Sequence, residues 1–280
     1  MAIYKMTEDQ IEDALSINFV NCTKLTGSLF KYMPASRVLE ILKNTPHQIA
    51  FVSPEKWYDP YETKFLNTDY TALNGYKQPK IYCFCARMDN LNEEASWKIY
   101  KNDNEPLLRL KLNTIDFLSS LSDFAKNNQC DLYFSKVDYR LERKDIDSLS
   151  LPSSNYYHEF FDNFDDEQYV KVMSLKRMAF SYENEYRIFL IPRNQDAINK
   201  YLKDDDDEIL NVPIPIEVIT MFTFNPAKKT DGSLLSQIDK AKYEAEYKLI
   251  KQKILSYYPE AKILKSSLYT KVSTVDKIQI

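Results

Sequence analysis

The segment FSYENEYRIFLIP, residues 180–192, places Glu183, Glu185 and Arg187 at alternate positions before an apolar run. Read as a strand, it carries all three on one face, with successive Cα atoms on that face about 6.8 Å apart. Two carboxylates so placed could divide the work of an acid–base reaction, and Arg187 could pair with one of them or hold an anion. The same pattern describes a solvent-facing sheet surface with weak diagonal ion pairs. Residue types alone leave both readings open.

A second group of candidates lies in the Pro-bounded loop PEKWYDPYE, residues 54–62. Trp57, Asp59, Tyr61 and Glu62 crowd aromatic and acidic groups together, as a binding rim does. Asp59 is also placed to cap a turn before Pro60, and for Asp59 and Glu62 that structural role is the preferred one. Cysteines stand at positions 22, 83, 85 and 130. Cys83 and Cys85 lack the second pair and the histidines of a metal site, so reduced, buried thiols are expected and no metal. His158, in the polar insertion, supports no catalytic triad, and His47 is assigned no role. The acidic run KDDDDE, 203–208, lacks the spaced oxygens and glycine of a calcium loop and reads as a solvated loop.

Only 3 glycines occur in 280 residues. Rossmann and P-loop sites need several glycines in one short turn so that backbone amides reach phosphate. If a nucleotide binds, side chains and a few backbone groups on strands and loops must hold it. The net charge of −4 argues against a protein that coats nucleic acid through phosphate contacts. No apolar run approaches the ~18 residues of a membrane span, and the first ten residues lack a signal-peptide pattern. A cytoplasmic protein without membrane contact is expected.

The elements that would position these residues are legible by period. LFKYM, HQIAFV, KIYCFCARM, EPLLRLKLN and DLYFSKVDYR read as strands. SRVLEILKN after Pro34, EEASWKIYKN and TIDFLSSLSDFAKNN read as helices, and residues 7–20 as a helix opened by Thr7. NVPIPIEVITMFTFNP reads as one strand. The longest helix is expected over SLLSQIDKAKYEAEYKLIKQKILSYY, with Leu235, Ile238, Tyr243, Leu249, Ile250, Ile254 and Leu255 as its apolar stripe. Residues 143–169 turn polar, acidic and aromatic, as an insertion. Strands outnumber helices without regular alternation, which predicts an α+β single domain over 1–280. Its sheet is mixed or antiparallel with peripheral helices, and its core is about 28–142 and 170–275.

LFKYMP at 29–34, IAFVSPEKWYDPYE at 49–62, CFCARMDN at 83–90 with SWKIY at 96–100, and FSYENEYRI at 180–188 together resemble the bacterial domain of unknown function 2971. Tyr58 stands where that family has an asparagine. The order of elements is similar, more distantly, to the split sheet of ADP-ribosyltransferases, which bind NAD without a glycine fingerprint. That resemblance implies a nicotinamide–ribose contact at Lys31 or Tyr32, cofactor orientation by Ser53, with Trp57 and Arg187 nearby, and action at the ribose by Glu185 with Glu183 positioning the acceptor. It implies an NAD-consuming transferase, a toxin or phage-defence effector. The alternative is a non-catalytic module whose tyrosine-rich surface, including KAKYEAEYKLIKQKI at 239–253, holds nucleic acid or a protein partner.

Overall fold

The computed structural model describes residues 15–22, 27–57, 59–88, 94–100, 105–203, 206–226 and 236–268. Its strands are β1 (Asn18–Val20), β2 (Ser28–Pro34), β3 (Gln48–Val52), β4 (Tyr82–Arg87), β5 (Leu107–Asn113), β6 (Cys130–Lys136), β7 (Glu185–Pro192), β8 (Leu202–Lys203), β9 (Asp206–Pro213), β10 (Ile219–Phe224) and β11 (Ile263–Lys265). Parallel and antiparallel pairs both occur, and helices flank them, so the fold is α+β with a mixed sheet. Among the described residues no helix is long and apolar enough to cross a membrane. Residues 15–30, 44–88 and 112–218 form one compact unit; 31–43, 94–111 and 219–268 form a second.

In the first unit β6 lies parallel to β1 and antiparallel to β7, which pairs antiparallel with β4. β4 continues to β3, and β3 to β9, both antiparallel. The register sets Arg187 opposite Cys85 on one side and Ser135 on the other. Alternation then sorts β7 into two faces. Tyr186, Ile188 and Leu190 share one face, where Tyr186 stacks on Phe134. On β4 the equivalent face carries Phe84, which meets Phe117 of the helix Thr114–Asn127 edge-on at 5.3 Å. Asn113 caps that helix by accepting from the Ile115 and Asp116 amides. Glu185, Arg187, Phe189 and Ile191 share the opposite face, charged at one end and apolar at the other. Because both faces are covered, β7 reads as the unbroken run Ile188–Ile191.

The cover on the Glu185 face comes from the segment expected to be a polar insertion. Its short helices Arg143–Ser148, Tyr157–Phe161 and Asp166–Met173, with the link at Phe164, bury Ile146, Phe160, Phe161, Phe164 and Tyr169 in one cluster with Cys83, Phe189 and Ile191. Glu159, Asp162, Asp165 and Glu167 point to solvent. Short elements that turn one apolar edge inward leave most of their residues polar and facing out, so the segment looks polar in sequence while closing the core.

Other differences are local. Asn18–Val20 is a strand, not the end of a helix; the remainder of the helix expected at 7–20 lies largely outside the described residues. Residues 206–208, expected in a solvated loop, begin β9. NVPIPIEVITMFTFNP is two strands, β9 and β10, divided by a 3-10 turn at Ile216–Val218. In the second unit the helix Gln237–Tyr257 buries only Ile250 and Ile254, while Ile238 and Leu249 are exposed. Tyr243, expected in the stripe, and Tyr247, not expected there, pack edge-on against Phe224.

Candidate functional site

The first unit gathers five ionisable side chains from three separate stretches of chain: Glu62, Lys176, Glu183, Glu185 and Arg187. Each arrives by a local device. The turn Pro60–Thr63 carries Glu62 inward; Asp59 caps it by accepting from the Tyr61 amide at 3.0 Å. Lys176 follows the helix Asp166–Met173 and is pinned where its amide donates to the Asp138 carbonyl at 3.0 Å. Glu183 ends a 3-10 turn, Met178–Glu183, and is not on the strand at all. Asn184 lies between it and Glu185 in the left-handed region (φ 42°, ψ 53°), a conformation asparagine tolerates better than most residues. The expected single strand face thus holds for Glu185 and Arg187 alone.

The Lys176 ammonium is the meeting point. It lies 2.6 Å from Glu183 Oε2, 3.2 Å from Glu185 Oε2 and 3.6 Å from Glu62 Oε1. Arg187 donates from Nε to Glu185 Oε1 at 2.9 Å, from Nη1 to the Met173 carbonyl at 2.5 Å, and from Nη2 to Glu62. The Trp57 ring covers the guanidinium at 4.2 Å, a cation–π contact in a dry setting. The Glu185 amide donates to Tyr139 Oη at 3.0 Å. A second layer joins Arg177 to Asp59 at 3.1 Å and lays Arg177 over Tyr61 and Phe180.

None of this is an exposed sheet edge. Arg187 is 1% exposed, Glu185 5% and Glu183 8%. Burial would raise the Glu185 carboxyl, but Arg187 and Lys176 outweigh it and hold that carboxyl well below the ordinary range. Burial likewise opposes the charge on Lys176, yet Glu185 and Glu62 push its pKa up. The set contains three carboxylates and two cations, leaving one negative charge over. Burial raises the Glu183 carboxyl despite its contact with Lys176.

The residues singled out in sequence are therefore divided. Glu183, Glu185, Arg187 and Trp57 come together. Ser53 does not join them. Val52 stands opposite Cys83, and Cys83 opposite Phe189. Ser53 thus falls level with Leu190, five residues along the sheet from Glu185: about 16 Å, and two strands to the side. Its hydroxyl accepts from the Glu55 amide and opens the 3-10 turn Pro54–Lys56. Tyr32 belongs to the second unit, where it is buried against Trp97 and Tyr100 at 4.9 and 5.5 Å. Lys31 precedes it there on β2 and is half-buried. Tyr58 lies outside the described residues.

Sequence reasoning missed Lys176 entirely and undervalued Glu62. Lys176 sits in SLKRM, a stretch with no signal beyond an ordinary basic pair. Against known proteins, the chain matches no family model, no curated protein and no solved structure.

Proposed function

We propose that the protein is an acid–base enzyme whose reacting group is Glu183, backed by Lys176 and the buried Glu185, Arg187 and Glu62. One observation carries this: three carboxylates converge on one ammonium, and Glu183, with a carboxyl pKa raised by burial, holds that ammonium at 2.6 Å. The Glu183 and Lys176 side chains are 10% and 11% exposed. A carboxylate with a raised pKa is a stronger base than an ordinary one.

The substrate proposed with it is the one the sequence resemblance implies, NAD, split at the nicotinamide–ribose bond. The electron pair of that bond leaves with nicotinamide, and positive charge develops at the ribose carbon. The acceptor forms the new bond there and passes its proton to Glu183. Glu185, with both oxygens taken, is a positioning residue in this scheme rather than the group at the ribose. The cellular setting proposed is a toxin or phage-defence effector. The alternative, a module stacking nucleic-acid bases on the tyrosines of Gln237–Tyr257, draws less support, since Tyr243 and Tyr247 are occupied with Phe224.

The test is NAD consumption by the purified protein, with growth arrest on expression as a second readout. The wild type should consume NAD, and Glu183→Gln should lose at least ~10²-fold in rate, the usual worth of a positioned base. A wild type that leaves NAD intact, or an E183Q variant as fast as wild type, sinks the reading.

A further inference from the structure

A separate pocket of about 490 Å³ opens in the first unit, beyond the apolar end of the Glu185 face. Its volume falls within the roughly 300–1,000 Å³ of small-molecule sites. Two of its lining residues, Ser53 and Tyr169, are 1% and 0% exposed. Each hydroxyl already accepts a bond: Ser53 Oγ from the Glu55 amide at 3.3 Å, Tyr169 Oη from Gln78 Nε2 at 2.7 Å. Each keeps its own proton to donate, and burial pushes the Tyr169 pKa up to about 12, so that proton stays. Gln78 spends its amide protons on Leu66 O, at 3.0 Å, and Tyr169, which leaves its carbonyl oxygen as an acceptor. Asn67, another lining residue, donates to Thr63 O at 3.1 Å and likewise keeps an acceptor.

The charges cancel. The one lining cation, Lys80, stands 3.7 Å from Glu55, which also lines the pocket, and 3.7 Å from Asp207. A phosphate would meet Glu55 as well as Lys80. Leu66, Pro79 and Ile81 supply an apolar wall. Interleaved donors and acceptors, no net charge and one apolar face match a ligand whose every oxygen both donates and accepts while its C–H face is apolar. We infer that this pocket binds a neutral polyhydroxy compound: a free sugar, or the ribose of a nucleoside. The inference is independent of the role given to Glu183.

Saturation-transfer NMR of the full chain with D-ribose, D-glucose, adenosine, uridine and ribose 5-phosphate tests it. Transfer to a neutral sugar or nucleoside is expected, and the free sugars against the nucleosides show which source fits. Ser53→Ala and Tyr169→Phe each remove one donor and should weaken binding about tenfold. Asn67→Ala, at an exposed position, should weaken it too, and covers the case in which the buried variants do not fold. No transfer to any neutral probe overturns the inference. So does undiminished binding in all folded pocket variants, or tenfold tighter binding of ribose 5-phosphate than of ribose.

Discussion

Arg187 and Glu185 stand two residues apart on one strand, joined by a 2.9 Å Nε–Oε1 bond and sealed from solvent under the Trp57 ring. Neither group would be stable there alone. A buried ion pair is weak evidence for stability as such, but removing one partner leaves the other charged in a dry place. Arg187 satisfies two carboxylates and a main-chain carbonyl at once.

Arg187→Met should accordingly cost about 3–5 kcal/mol. Arg187→Lys should recover little of it, because an ammonium cannot reach three acceptors in the geometry of a guanidinium fork. Urea denaturation of the two variants beside wild type measures both. A K variant within ~1 kcal/mol of wild type would show that the fork geometry does not matter.

Stability should depend on pH in two opposed ways. Glu183 has a folded pKa raised above its ordinary 4.5. Its contribution is fully present below 4.5 and is lost as pH rises through the folded value. Glu185 is depressed from 4.5, so its contribution is present above 4.5 and is lost as pH falls toward its folded value. Melting temperatures measured from pH 4 to 8 should decline on the alkaline side in wild type and less so in Glu183→Gln. Parallel curves for the two proteins would remove Glu183 as the source.

Asp59 does two things, and two substitutions separate them. Asp59→Asn keeps an oxygen for the Tyr61 amide but loses the ion pair with Arg177. Asp59→Ala loses both. The alanine variant should be less stable than the asparagine variant by about 1 kcal/mol, the worth of an N-cap. Equal denaturation midpoints would assign the cap no weight.

The thiols should label in a fixed order. Cys22 and Cys85 are partly accessible, whereas Cys83 and Cys130 are buried. Burial also raises both buried thiols, Cys130 to about 12, and only a thiolate reacts. Iodoacetamide at pH 8 followed by mass spectrometry should find Cys83 and Cys130 unmodified until denaturant is added.

Much of the secondary structure was written locally. KIYCFC and EYRIFL carry strand-like apolar runs, and Asn113 before TIDFLSSLSDF announces a helix start; these signals act between near neighbours. The helix Gln237–Tyr257 was legible as a helix and only in part in its buried face: Tyr243, Ile250 and Ile254 pack inward, Ile238 and Leu249 do not. Its two core isoleucines look the same in sequence as the exposed Ile238 and Leu249, because tertiary packing chose the face. The sequence marked Glu183, Glu185 and Arg187 as a group, but it could not say whether they faced water.

The sequence by itself determined the α+β class, the absence of a glycine-rich phosphate cradle, and the proximity of Glu185 to Arg187, since all three depend on composition or on neighbours along the chain. Only tertiary structure decided that Lys176 and Glu62 complete the set, that Glu183 enters from a left-handed turn, and that Ser53 lies far along the sheet from Glu185. Strand register and the burial of charge are settled between residues distant in the chain, as with Glu62 and Arg187. There the energy of pairing in a dry interior, not any local preference, selects the partners.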